Sequence, residues 1–331
     1  MELDVNLMDP AVEDASHLAS TAEDMGFDGA WMTELTHSPF TVTAQMANET
    51  TDIDIGTAIA LAFPRSPMVT AYSAWDLQTL TGGNFVLGLG TQVKGHIERR
   101  FGEEWVAPGP RLKEYVLALQ EIWDAWVENR SPKVEGEHYS ITLCPPKFVP
   151  DPPADPQVPI YVAGVNPYNI TLAGELCDGL HVHPFHSPEY VEQEVVPYVE
   201  KGARIGDRDP SEVTLATSVM AIVGDTAEER DEARESVREQ ISFYASTRTY
   251  RNILEVHGWG DVSDQLHELS VEDNWDQMPD LVTDEMVDAF SVEGRWDQMR
   301  ARIEARYEHI DRVALYTPFR GEEHWAALSP P

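Results

Sequence analysis

Eight short runs rich in apolar and β-branched residues recur along the chain, and stretches with helical character separate them. The runs are Leu3–Leu7, Phe27–Thr33, Ile53–Leu61, Phe85–Leu89, Ile160–Ala163, Gly179–His183, Val213–Val223 and Arg312–Tyr316. Strands that alternate with helices build a parallel sheet, because each crossover helix packs back on a sheet face. The pattern predicts an α/β fold, a (β/α)8 TIM barrel with insertions. The alternative is an open doubly wound sheet. Its dinucleotide fingerprint is absent after the first run, where Met8-Asp9-Pro10 stands. The lone Gly88-Leu89-Gly90 is too short a match to carry that alternative.

The helical stretches carry recognisable ends. Pro10–Met25 has apolar residues near a 3.6-residue period and stops at Gly26. Phe40–Glu49, Pro67–Leu80, Arg111–Val127, Asn169–Leu176 and Pro188–Ile205 follow. A capping pattern, Thr226-x-x-Glu229, opens a helix over Thr226–Tyr244. Residues 91–110 read as a long loop. The proline-rich stretch 129–157, with a β-like segment Tyr139–Leu143, reads as an excursion from the core. Residues 247–308 read as an enlarged helical insertion, and 1–331 as a single domain.

Composition narrows the function. With 23 Lys+Arg against 58 Asp+Glu, the formal charge is −35. No basic footprint is available for phosphates, so nucleic acid and anionic membrane surfaces are poor partners. The longest apolar stretch, about Ile55 to Phe63, is far short of the ~20 residues of a spanning helix. MELDVNLMDP lacks the basic and apolar regions of a secretory signal. Two cysteines, Cys144 and Cys177, make no disulfide framework. A reducing cytoplasm is the expected compartment. The basic residues are 5 Lys and 18 Arg. So many carboxylates with so few lysines fit a halophilic protein in molar salt, where surface self-repulsion is screened.

In a barrel of this kind the chemistry sits at the C-terminal ends of the strands. Glu34 and His37 follow the second run and are candidates for an acid/base pair; a solvated capping turn is the alternative. His181 and His183 share one strand face and are candidate metal ligands with Asp178, or plain pocket-lining residues. Gly90-Thr91-Gln92 and Gly164-Val165-Asn166 combine small and hydrogen-bonding residues, so their backbone can approach a phosphate. The uncharged run Ala58–Phe63 at a strand end fits a flat apolar ligand, or packing beneath the 91–110 segment.

Four segments carry a family likeness: AEDMGFDGAWMTELTHSPF (22–40), IGTAIALAFPRSPMVTA (55–71), GGNFVLGLGTQ (82–92) and LAGELCDGLHVHPF (172–185). With them the chain resembles the bacterial luciferase-like superfamily, and within it the oxidoreductases that use the deazaflavin coenzyme F420. The resemblance covers about 1–225 and the last strand. It implies a cofactor at the barrel mouth, F420 with FMN as the alternative, and no resident metal. It implies a non-prolyl cis peptide within Thr57, Ala58, Ile59 and Ala60 behind the ring. It implies a phosphate near Gly90–Gln92 and Gly164–Asn166; on so acidic a chain, Arg65, Arg99 or Arg100 are the candidates for the local positive charge that an anionic cofactor needs. The implied reaction is hydride transfer at the deazaflavin C5 to or from a small molecule (an alkene, carbonyl, imine or alcohol), with Glu34 or His37 handling the proton. An FMN-dependent monooxygenase and a non-catalytic flavin-binding barrel are the alternatives, and a homodimer or higher homo-oligomer is the expected assembly. Sugar-phosphate dehydrogenases of the family carry an Asp-His pair after the second strand. Here Glu34 and Leu35 take those positions, which counts against that substrate.

If the acidic surface is built for high salt, the thermal unfolding midpoint rises between about 0.1 M and about 2 M KCl as the Debye length shrinks from ~10 Å to under ~3 Å. A midpoint that stays level or falls over that range contradicts the halophile reading.

Overall fold

The computed structural model describes residues 1–329. Eight parallel strands close into a barrel: β1 (Glu2–Met8), β2 (Gly29–Met32), β3 (Asp54–Thr57), β4 (Phe85–Gly90), β5 (Ile160–Gly164), β6 (Gly179–Val182), β7 (Thr214–Val223) and β8 (Arg312–Pro318). Each strand pairs with the next, and β8 pairs with β1 in the register Glu2↔Arg312 and Asp4↔Ala314. The doubly wound alternative is thereby ruled out. Helices pack outside, and the main apolar core lies between them and the outer faces of the strands. No helix among the described residues is long and apolar enough to cross a membrane.

Local chemistry explains the helix starts. Pro39, Pro67, Pro108 and Pro167 each occupy the first helical turn, where a missing N–H is harmless. Ser66 accepts the Val69 N–H, and Thr226 and Glu229 form the expected reciprocal capping box. Elsewhere the boundaries move. The helix expected from Pro10 begins at Ala15. The 91–110 segment is not one loop, since Lys94–Arg99 is helical and the next helix already starts at Pro108. The third run is not one strand. β3 ends at Thr57, the Ala58–Ile59 peptide is cis, and Ala60–Leu61 then pairs separately with β4. In the excursion two short strands, Val134–Glu135 and Ser140–Ile141, pair as a hairpin, so only Ser140–Ile141 of the expected Tyr139–Leu143 segment is strand. The insertion holds helices Arg251–Glu255, Gly260–Val271, Asp284–Phe290 and Trp296–Arg306, and also a short strand, Ser291–Gly294, parallel to the end of β7.

The lower part of the lumen is plugged by polar and aromatic groups rather than aliphatic layers. Asp4 on β1 accepts from Arg312 Nε and Nη2 on β8, both at 3.0 Å, and from Trp31 Nε1 at 2.7 Å. Arg312 also donates to Asp54 at 2.5 Å and lies 5.2 Å from the Trp31 ring centroid. Burial opposes the guanidinium charge, but Asp4 and Asp54 outweigh it and raise the pKa further above its usual range. Trp31 packs with Val86, Tyr161 and Ala216 to complete the plug. Two glycines make room for it. A Cβ on Gly29 would lie 2.5 Å from Arg312 Nη2, and one on Gly56 would lie 2.2 Å from Trp31 Cζ3.

Removing the cation would leave Asp4, 3 % exposed, as an unpaired buried charge. Arg312→Met is therefore expected to cost about 3–5 kcal/mol in urea unfolding. A cost under about 1 kcal/mol, within the range of ordinary surface substitutions, would show that the plug does not hold the barrel closed.

Candidate active site

A cavity of about 1200 Å³ opens at the C-terminal ends of the strands. That exceeds the ~300–1000 Å³ of typical single-ligand pockets, so a cofactor and a second molecule have room together. A hollow of about 720 Å³ at the opposite face, lined by Glu2, Glu304, Glu308 and Arg312 among others, lies at the end of such barrels that serves stability.

One wall of the large cavity is the bulge after β3. Ala58, Ile59 and Leu61 face the space. The bulge is pinned from behind. Ala58 N–H donates to Met32 O at 2.8 Å, Thr33 Oγ1 donates to Ala58 O at 3.0 Å, and Leu61 N–H donates to Glu34 Oε2 at 2.7 Å. The cis bond lies inside the window that the resemblance implies. Thr57 and Ala60 do not reach the cavity. Both are fully buried, and Thr57 Oγ1 instead bridges the Gly88 carbonyl and N–H at 2.7 and 2.9 Å. Gly90, Thr91, Gln92, Gly164, Val165 and Asn166 all line the space. The missing side chain of Gly90 admits a protein group as well: a Cβ there would lie 2.6 Å from Ile59 Cδ1. The loop after β5 is held by Tyr190 and Asn252, which both donate to Val165 O, at 2.5 and 3.2 Å.

The expected acid/base pair does not form. Glu34, 7 % exposed, is gripped by both guanidinium nitrogens of Arg65 at 2.8 Å, and its Oε2 also takes the Leu61 N–H. Its carboxylate braces the bulge. His37 is exposed and is not among the cavity-lining residues. The candidate arginines are also placed differently. Arg65 is consumed by Glu34, Arg100 donates to Leu35 O, and neither Arg99 nor Arg100 lines the cavity. The positive charges at the rim are Lys94 and Arg248, with only loose carboxylate partners, Glu98 at 3.7 Å and Asp264 at 3.9 Å.

His181 and His183 do face the cavity. Burial, then the charge of Arg312, pushes His181 down to about 3. Burial pushes His183 to about 3 and the nearby His186 to about 4. All three rings are neutral at physiological pH. His183 Nδ1 accepts the Phe185 N–H at 3.1 Å, so its proton lies on Nε2, which meets Tyr250 Oη at 3.2 Å. With both nitrogens engaged, His183 is a poor metal ligand. Among the described residues no three His, Cys, Asp or Glu side chains gather as a metal site.

The far wall belongs to the insertion and the helix before it: Phe243, Arg248, Tyr250, His267 and Trp275. Sequence reasoning missed these residues. The aromatic run Phe243–Tyr250 inside an otherwise acidic region was the available signal.

The family model described as luciferase-like monooxygenase matches residues 2–311. The chain belongs to that family. Among its relatives, an uncharacterized protein of Mycobacterium tuberculosis is 39% identical over 300 residues, covering 90% of this chain and 88% of its own length. A 5,10-methylenetetrahydromethanopterin reductase of Archaeoglobus fulgidus is 27% identical, over 82% of this chain and 79% of its own. This luciferase-like chain also superimposes on the coenzyme F420 dependent tetrahydromethanopterin reductase of Methanopyrus kandleri with a TM-score of 0.79 at 22% identity, covering 99% and 96% of the two chains. At that identity the superposition speaks to the fold.

The neutral histidines give this luciferase-like protein an acid limit. Unfolded histidines take up protons near pH 6.5, whereas His181, His183 and His186 resist down to about 3 to 4. Between those values the unfolded state binds more protons, so stability falls as pH drops. Each ring contributes about 1.4 kcal/mol per pH unit at most. His186→Asn is expected to flatten the slope of urea-unfolding free energy between pH 6 and 4 by close to one proton. An unchanged slope would mean that His186 protonates in the folded state.

Proposed function

We propose that this protein is an F420-dependent oxidoreductase acting on a small organic molecule at an alkene, carbonyl, imine or alcohol group. The observation that carries the reading is the composition of the cavity. An uncharged ledge of Ala58, Ile59 and Leu61 lies inside, and Lys94 and Arg248 stand at the rim of a chain whose net charge is −35. That combination fits a flat apolar ring with an anionic tail. The reductase names among its relatives favour the deazaflavin.

When bound, the deazaflavin supplies a carbon that takes up or releases hydride. The protein does the remaining work. Ala58 and Ile59 offer a flat surface whose backbone is fixed by Met32 and Thr33. Glu34 and Arg65 keep the ledge from collapsing into the space. Lys94 and Arg248 would offer charge to the tail, and Asn166, Tyr168 and Asn169, which also line the cavity, would offer polar groups. Trp105 and the segment from Val93 to Gly95 line the cavity as well.

An FMN-dependent monooxygenase is the second reading, favoured by the family description and by a ledge that takes either ring. Side-by-side titration of F420 and FMN in about 2 M KCl, followed by fluorescence, separates them. The expected result is F420 binding at least about tenfold tighter, roughly 1.4 kcal/mol. Tighter FMN binding with oxygen-dependent oxidation of the reduced flavin would establish the monooxygenase instead. For Lys94 and Arg248, separate Ala replacements are expected to weaken F420 binding.

A further inference from the structure

Reducing or oxidising a C=C, C=N or C=O bond moves a proton as well as a hydride, and a group at the cavity wall that can exchange a proton with the substrate would speed that step. The carboxylates lining the cavity are already committed. Asp4 is held by Arg312 and Trp31, and Glu34 by Arg65 and the Leu61 N–H. His181 sits deep beside the lumen plug, its ring edge-on to Trp31 at 5.2 Å. The hydroxyls of Tyr244 and Tyr316 are paired with each other at 2.5 Å.

Tyr250 is different. It lines the cavity, its ring lies 4.5 Å from that of His183, and its oxygen receives the His183 Nε2–H at 3.2 Å. The Phe185 N–H fixes the histidine tautomer from the other side. The phenol is thus an acceptor toward His183 and keeps its own O–H as a donor. We propose that Tyr250 is the proton donor and acceptor of this cavity, and that His183 is the positioning residue that sets its hydrogen bond and steadies its anion. The proposal rests on the oxidoreductase reading above.

In the reducing direction a hydride from the bound deazaflavin or flavin adds to carbon. The π pair of the C=X bond moves onto X, which is oxygen, nitrogen or an activated carbon. The Tyr250 O–H bond breaks, its proton joins X, and the electron pair left on the phenolate is held by the His183 Nε2–H. Solvent returns the proton. Oxidation runs the same step backward: the phenolate takes the proton of X–H as hydride leaves carbon for the oxidised cofactor. Burial raises the Tyr250 phenol to about 12, so it is protonated at rest. His183 stays neutral and cannot itself deliver a proton, because its Nδ1 has only an amide N–H to draw on.

The test uses the full chain with its cofactor and the variants Tyr250→Phe, His183→Gln and His183→Leu. Cofactor affinity is expected to stay within about twofold for all three. Single-turnover hydride transfer with a panel of electron-poor enones, imines and ketones is expected to fall at least about 100-fold in Tyr250→Phe. His183→Gln, which keeps a side-chain N–H donor, should retain most of the rate, and His183→Leu should fall with Tyr250→Phe. A substrate-free measurement accompanies these: 15N resonances of the histidines should show His183 protonated at Nε2 and neutral through pH 5, with that resonance shifted in Tyr250→Phe. A proton on Nδ1, titration near 6.5, or a Tyr250→Phe protein that turns over like wild type overturns the proposal. These outcomes leave the functional reading standing. A wild type that binds neither cofactor, with the Nε2 tautomer intact, overturns the functional reading instead.

Discussion

Arg312 lies near one end of the sequence and Asp4 near the other, and the barrel brings them side by side in its lumen. The pair does more than close the seam between first and last strands. Trp31 bonds to Asp4 and lies against the guanidinium, so the whole lower lumen is filled around one charge. Ion pairs of this kind add little net stability compared with good apolar packing, but they are intolerant of losing one member. They also specify geometry. The carboxylate, the indole N–H and the guanidinium fit together in one arrangement, which fixes where the plug ends and the open cavity begins.

Above that floor the cavity has two sides of different origin. The barrel contributes the ledge after β3 and the turns after β4 and β5, all braced by backbone and buried polar contacts. The insertion and the helix leading into it contribute Phe243, Arg248, Tyr250 and Trp275. The two sides are tied where Asn252 reaches the Val165 carbonyl. A charge of −35 would repel an anionic ligand, and Lys94 and Arg248 set local positive charge against it at the cavity.

Much of the architecture was legible because β-rich runs and helical stretches differ in spacing and composition, and all eight barrel strands lie where those runs lie. The helix Lys94–Arg99 was not legible because it is short, polar and begins without a capping side chain. The strand Ser291–Gly294 follows directly on a helix and has too few residues to show a period. The turns Gly90–Gln92 and Gly164–Asn166 reach the cavity because strand ends are easy to place once the barrel is known. The role of Glu34 was hidden for another reason. A carboxylate at a barrel mouth reads as an acid until its partner is seen, and Arg65 is 31 residues away on another turn. The same holds for Tyr250 and His183, which are 67 apart. Pairings that depend on two loops converging leave no local trace in composition.

The closing contact has a temporal side. During synthesis Asp4 is made well before its counterion, which follows more than 300 residues later. Until β8 is made, the nascent sheet has an open edge on β1 and a carboxylate with no guanidinium to meet. Contacts of such high sequence separation form late and slowly. The interval before closure is when this protein is most exposed to chaperone capture and to pairing with the wrong strand.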